Sequence, residues 1–202
     1  MPRYSSGPFQ RANGNLRIVY TGAIDAARDP EPIFRAVRKL LDEGLLSLEL
    51  IFMVPDSSRL FFLQERYKLK QVVHIIPAAS YWKALELAFS ADALLVIEAN
   101  TEHGVFLPSK FVDYCQIGKP ILALTPRGSE LSDYLARGGG IAVLPRDVEA
   151  ISRAIRTLVE YRSQGRLAEL NSAFIGDTFK GEKVIENFRE EVEWLIRARE
   201  HN

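Results

Sequence analysis

The alternation of short apolar runs with helical stretches constrains this chain more than any other feature. Runs rich in β-branched residues fall at 16–20, 48–53, 72–76, 93–97, 121–124 and 141–144, and between them helical periodicity spans about 30–43, 57–68, 81–90, 109–117, 129–137 and 148–161. The runs are mostly apolar and do not strictly alternate with polar residues, which is the pattern of parallel strands covered on both faces. The expected class is α/β: a doubly wound, six-stranded parallel Rossmann-like sheet with helices on both faces. Past the last strand, 166–177 has room for one short helix, and 181–200 reads as a long terminal one. There Val184, Ile185, Phe188, Val192, Leu195 and Ile196 recur at helical spacing, with Trp194 offset. We expect this stripe to pack across the edge of the helix's own sheet, with Trp194 turned towards a neighbour outside the chain. Residues 1–14 read as a flexible tail or linker, and 15–202 as one domain.

Composition narrows the function classes. With 202 residues, 47% hydrophobic and 10% aromatic, the chain can bury one sizeable core. Its 26 basic and 26 acidic side chains cancel, so no global field draws it to nucleic acid or to an anionic membrane, and any charged ligand must be held locally. Cys115 is the only cysteine, which excludes an intrachain disulfide and fits a reducing, cytoplasmic setting; on a helix it reads as packing. The start "MPRYSSGPFQRANGN" has no apolar core of a signal segment, and no apolar run reaches the roughly 18 residues of a membrane span.

In open α/β sheets ligands bind beyond the carboxyl ends of the strands, so the segments after each strand are the ones to inspect. In "YTGAIDAARDPEP", Gly22 permits a tight turn or a close backbone approach, Arg28 is a free cation, and Pro30 or Pro32 can start a helix. "EANTEHGVFLPSK", residues 98–110, is longer than the roughly 2–6 residues usual for such a connection, and length of this kind tends to be functional. In "TPRGSELSDYLARGGG", Ser129 can cap a helix and Gly138 to Gly140 end one.

Within the second segment, Ser109 after Pro108 reads as the N-cap of a helix, which puts Lys110 in the first turn. A cation there opposes the helix dipole by roughly 0.3–1 kcal/mol. Two readings are open: a lysine pointing to water, or one that shares an anion with the backbone N–H groups. Asp113 lies beyond Val112, the position from which an acid would complete a capping box. It is either a solvated acid favoured by the dipole or an acceptor for sugar hydroxyls. His103 and Glu102 are the only candidates for acid–base work, and His74 lies in a strand and reads as structural. No Ser-His-Asp or Cys-His order, HExxH, P-loop or paired metal-ligand spacing occurs, so no metal or resident cofactor is expected.

Several segments taken together resemble a known family. "IVYTGAID" before a helix, "VHIIPAASYWKALELAFSADALLVIEA", "FLPSKFVDYCQIGKPILAL" and "GSELSDYLARGGGIAVLPRDVEAISRAI" are similar to the C-terminal, donor-binding domain of GT-B glycosyltransferases of the retaining family 4 group. The resemblance covers nearly the whole chain from Leu16. It places Asp113 at the second glutamate of the family's E-x7-E motif, which is implied to hold the donor's ribose; the place of the first holds Val105, with Glu102 nearby. Lys110 and Arg28 are implied to stand in for the basic pair on the diphosphate, Gly22 and Ser109 to complete the donor site, and residues 76–79 to face the base. The implied function is transfer of a sugar from a nucleoside diphosphate sugar to a carbohydrate or lipid-linked acceptor, in cell-envelope polysaccharide synthesis. The implied partners are that nucleotide sugar and an N-terminal acceptor domain outside the chain, through which it would meet a membrane. Without that half the chain is expected to bind donor and hardly to turn over. A nucleotide-sugar epimerase with the same two-domain fold, or a non-catalytic α/β interaction module, are the alternatives.

Overall fold

A computed structural model describes residues 14–45, 47–101, 107–171 and 173–200. Six strands, β1 (Leu16–Thr21), β2 (Leu48–Val54), β3 (Val73–Pro77), β4 (Ala93–Ile97), β5 (Ile121–Leu124) and β6 (Gly140–Val143), form one sheet in the order β3-β2-β1-β4-β5-β6. Every pairing is parallel, so each connection is a crossover and carries a helix. The helices are α1 (Glu31–Asp42), α2 (Ser58–Arg66), α3 (Tyr81–Phe89), α4 (Ser109–Ile117), α5 (Glu130–Ala136) and α6 (Val148–Ser163). Beyond them come a 3₁₀ turn at Leu167–Leu170, α7 (Ala173–Thr178) and α8 (Gly181–Glu200), so the expected short helix over 166–177 is split in two. The other element boundaries agree with the sequence reading to within a residue or two.

The sheet is covered on both faces because successive side chains point to opposite sides. From β1, Leu16, Ile18 and Tyr20 join the core under α1, α2 and α6, while Val19 joins the one under α3, α4 and α5. Arg17 lies between them fully buried, with its guanidinium donating to Glu49 at 2.7 Å and to Ser90 Oγ at 3.2 Å. Gly140 is a glycine of necessity: it adopts φ +157°, and a Cβ there would stand 1.9 Å from the Ile121 carbonyl oxygen, so any side chain would push β6 off β5. Cys115 is buried, and burial pushes its thiol up to about 12, as expected of a packing residue.

The terminal helix departs from expectation. It has its strongest contacts with α7, and its apolar stripe is exposed: Val184 49%, Ile185 61%, Phe188 71%, Trp194 63% and Ile196 54%. The stripe therefore does not cover the edge of the sheet. The helical periodicity was legible, but what the stripe meets depends on where the chain turns after α7.

Candidate functional site

The chain order reverses between β1 and β4, and the carboxyl ends of the strands part there. A cleft of about 460 Å³ opens at this point, within the size range of small-molecule sites. One wall comes from the β1–α1 loop, with Gly22, Ala23 and Arg28. The floor is formed by the strand ends Thr21, Met53 and Ile97, and the far side by Ala78, Ala79 and Tyr81 around the start of α3. The first turns of α4 supply Pro108, Ser109, Lys110 and Asp113. All five residues expected to hold the donor, Gly22, Arg28, Ser109, Lys110 and Asp113, thus line one cleft. Ala78 and Ala79, from the stretch expected to face a base, lie across from them.

The helix that carries Lys110 is held to β1 by its next turn. Tyr114 hydroxyl accepts the Thr21 N–H at 3.1 Å and lies 3.1 Å from Thr21 Oγ1; burial pushes this phenol up to about 12, which keeps it a neutral hydrogen-bonding group. Four residues apart on a helix, Lys110 and Tyr114 share a face. Lys110 therefore reaches across the end of β1, and its Nζ sits 3.8 Å from the centre of the Tyr20 ring, a cation–π contact. The Tyr20 hydroxyl is anchored on the Ala23 carbonyl at 2.6 Å. Gly22 makes the crossing possible: its φ of +115° is costly for any side chain, and a Cβ there would meet Lys110 Nζ at 3.0 Å. The ammonium is held down to about 7, first by desolvation and then by the charge of Arg28, with Asp25 pulling the other way. Among the described residues no carboxylate pairs with it. Lys110 is thus a partly buried cation at the mouth of a helix N-terminus, and an anion in the cleft would complete it.

Two expectations need correction. Ser109 is not the N-cap: Pro108 takes that place in an extended conformation, its carbonyl accepts the Phe111 N–H at 2.8 Å, and Ser109 is the first helical residue with no capping bond from its side chain. Proline at that point offers no side-chain acceptor, so α4 begins without a side-chain cap. Arg28 is not a free cation. Its guanidinium pairs with Asp25, whose other oxygen accepts the Ala27 and Arg28 N–H groups at 3.0 Å each, an Asx turn that shapes the loop. This pair is exposed, so it is weak and Arg28 can leave it for a stronger anion. His74 lies in β3 as expected, half exposed and 3.8 Å from Glu49, and does not line the cleft. Glu102 and His103 lie outside the described residues.

Other polar groups around the cleft were not legible beforehand. Tyr81, at the start of α3, donates its hydroxyl to Asp113 Oδ1 at 2.8 Å, spanning the cleft. Glu98, just after β4, is buried, with its carboxyl raised by that burial; it accepts from the Thr125 hydroxyl, which lies 2.5 Å from Ser129 Oγ. Ser129 in turn caps α5 by accepting the Ser132 N–H at 3.0 Å, as its sequence position suggested. This chain of polar groups ties the long β4–α4 connection to the next crossover. The Asx turn was findable from the spacing of Asp25 and Arg28, and Tyr114 from its helical relation to Lys110; nothing local marks Tyr81. Among the described residues no group of three or more His, Cys, Asp or Glu stands together, and no helix is long and apolar enough to cross a membrane.

No protein-family model and no curated protein sequence matches the chain. Solved structures do. Sucrose-phosphate synthase from Thermosynechococcus elongatus superimposes with a TM-score of 0.70 at 15% identity, covering 91% of this chain and 46% of its own. Anabaena HepE, solved with UDP-glucose, gives 0.69 at 13% identity, over 89% of this chain and 49% of that one. UDP-GlcNAc 2-epimerase from Neisseria meningitidis, bound to UDP-GlcNAc, gives 0.59 at 14% identity, over 89% and 45%. The chain spans about half the length of these structures. At such identities the likeness is one of architecture, and this chain has the Rossmann-like fold of one half of a GT-B glycosyltransferase.

Proposed function

We propose that this chain is the donor-binding half of a glycosyltransferase that moves a sugar from a nucleoside diphosphate sugar to a carbohydrate or lipid-linked acceptor. The observation that carries the reading is the partly buried Lys110 ammonium, set at the N-terminus of α4 in a cleft at the switch point of the sheet, with Arg28 on the facing loop. Departure of a nucleoside diphosphate develops negative charge on the bridging oxygen. Lys110, Arg28 and the first-turn N–H groups of α4 stabilise that charge as it forms. The diphosphate raises the proton affinity of Lys110 back towards that of an ordinary lysine and draws Arg28 from Asp25. Asp113 accepts hydrogen bonds from the ribose, and the base lies along Ala78 and Ala79. That solved structures of similar fold contain a UDP-sugar supports the reading of the chain as a nucleotide-sugar-binding half.

On this reading an acceptor half outside the chain completes the reaction cleft, so the chain binds donor and turns over little by itself. It works in the cytoplasm, with any membrane contact made through the acceptor half, and serves cell-envelope polysaccharide synthesis. The Neisseria epimerase of the same fold favours a second reading, in which the same donor site presents a nucleotide sugar for epimerisation. Product analysis on the complete protein separates the two, by sugar transfer to an acceptor or by a change at C2 of the free nucleotide sugar.

The test is a calorimetric titration with UDP, GDP and ADP, repeated on Lys110→Ala and Asp113→Ala. Saturable binding of one diphosphate, weakened about tenfold or more by Lys110→Ala and less by Asp113→Ala, is the expected result. A folded protein that binds none of the three overturns the reading in favour of an interaction module, and a Lys110→Ala protein with unchanged affinity overturns the assignment of Lys110 to the diphosphate.

A further inference from the structure

The contact between Tyr81 and Asp113 joins the two walls of the cleft. Tyr81 opens α3 directly after the extended Ser80, and Ala84, on the same helix face, also lines the cleft, so the tyrosine side chain stands at its mouth. Its ring is braced from behind by Trp82, whose ring lies 5.5 Å away at 65° in an edge-to-face arrangement. The phenol donates to one carboxylate oxygen of Asp113, Oδ1, at 2.8 Å. A carboxylate offers about four acceptor sites over two oxygens, so this bond uses one and leaves Oδ2 fully available. It also favours one orientation of the carboxylate, whose last torsion is otherwise broad.

We propose that Tyr81 is a positioning residue for the donor's ribose and acts through Asp113: its hydroxyl orients the carboxylate so that the remaining oxygen meets the vicinal diol. This rests on the donor-site reading above and assigns a further residue to it. The diol recognises a carboxylate that is already oriented, so affinity gained from the ribose depends on the Tyr81 hydroxyl, whereas affinity gained from the base and the diphosphate does not. Tyr81→Phe removes the hydroxyl and keeps the ring and its packing on Trp82.

The test compares the wild type, Tyr81→Phe, Asp113→Ala and the double variant by calorimetric titration. The probes are whichever of UDP, GDP and ADP binds tightest and its 2′,3′-dideoxy counterpart. Tyr81→Phe is expected to weaken the diphosphate by about 3- to 10-fold, to leave the dideoxy nucleotide unchanged, and to add nothing in the Asp113→Ala background. Equal weakening of both nucleotides by Tyr81→Phe makes the tyrosine a wall of the cleft and overturns the proposal. So does an unchanged affinity for the parent nucleotide, or an additive loss in the double variant. A folded wild type that binds none of the three diphosphates removes the donor reading itself and the proposal with it, an outcome visible before any variant is made.

Discussion

Helices α6 and α8 have the same kind of sequence and different fates. Both place apolar residues at helical spacing among Glu and Arg. In α6 the stripe is buried: Ile151, Ala154, Ile155 and Leu158 pack with α1 on the sheet. In α8, Ile185, Phe188 and Trp194 stay largely exposed. Periodicity thus specifies that a helix forms and which face it offers, while the partner that takes that face is a property of the whole fold. The lysines repeat the contrast. Lys110 is held down to about 7 by its burial near Arg28, whereas Lys183, on α8, donates to Glu186 at 2.8 Å and is raised by that bond.

The largest effect that can break this comparison is in the core. Leu158→Ala should remove about 2–5 kcal/mol of stability in denaturant unfolding, because the cavity it leaves between α6 and the sheet cannot collapse fully. A loss under about 1 kcal/mol would mean that α6 is no better packed than α8.

Next comes Lys110. An unfolded lysine titrates near 10.5 and folded Lys110 near 7, so between these values the unfolded chain binds the extra proton and stability rises with pH. Below about 7 both states are protonated and the cost of the buried ammonium is fully present. Lys110→Met should therefore raise Tm by about 2–4 °C at pH 6 and lose this advantage as pH approaches 10. A Tm gain that does not change with pH would show that packing and not charge is responsible. The same group predicts a linkage on binding. At pH 8, uptake of a diphosphate should bring in close to about one proton, read from titrations in buffers of different ionisation enthalpy, and this uptake should vanish in Lys110→Met. Uptake that survives the substitution would place the proton elsewhere.

The smallest effect belongs to α8. Phe188→Ser should change stability by no more than about 0.5 kcal/mol, since the ring has little to lose on a surface it already shares with water. A loss comparable to that of Leu158→Ala would show that α8 is covered in solution and that its stripe has found a partner.

Most of the architecture was legible. The unbroken apolar run of β4 and the largely apolar runs of β1 and β2 announce strands buried on both faces, and the spacing between them leaves room only for crossovers. The candidate site was legible in outline, because the carboxyl ends of parallel strands are where such sheets bind ligands and the residues after β1 and β4 have the right chemistry. Its contacts were less so. Arg28 looks free in the sequence only if the turn chemistry of Asp25, three residues before it, is left out. Tyr81 looks like a surface aromatic because its partner Asp113 comes from another crossover.

The sequence by itself determined the elements, their order, the parallel sheet and the loops that meet at its switch point, since these follow from local periodicity and from the short reach of each connection. Only the tertiary structure decided which charges are shielded and which stripes are covered. Lys110 loses its water because Tyr20 and Gly22 lie beneath it, and α8 keeps its own because its main contacts are with α7 and not with the sheet. Desolvation depends on everything that surrounds a group, and the surroundings of these residues are assembled from distant parts of the chain.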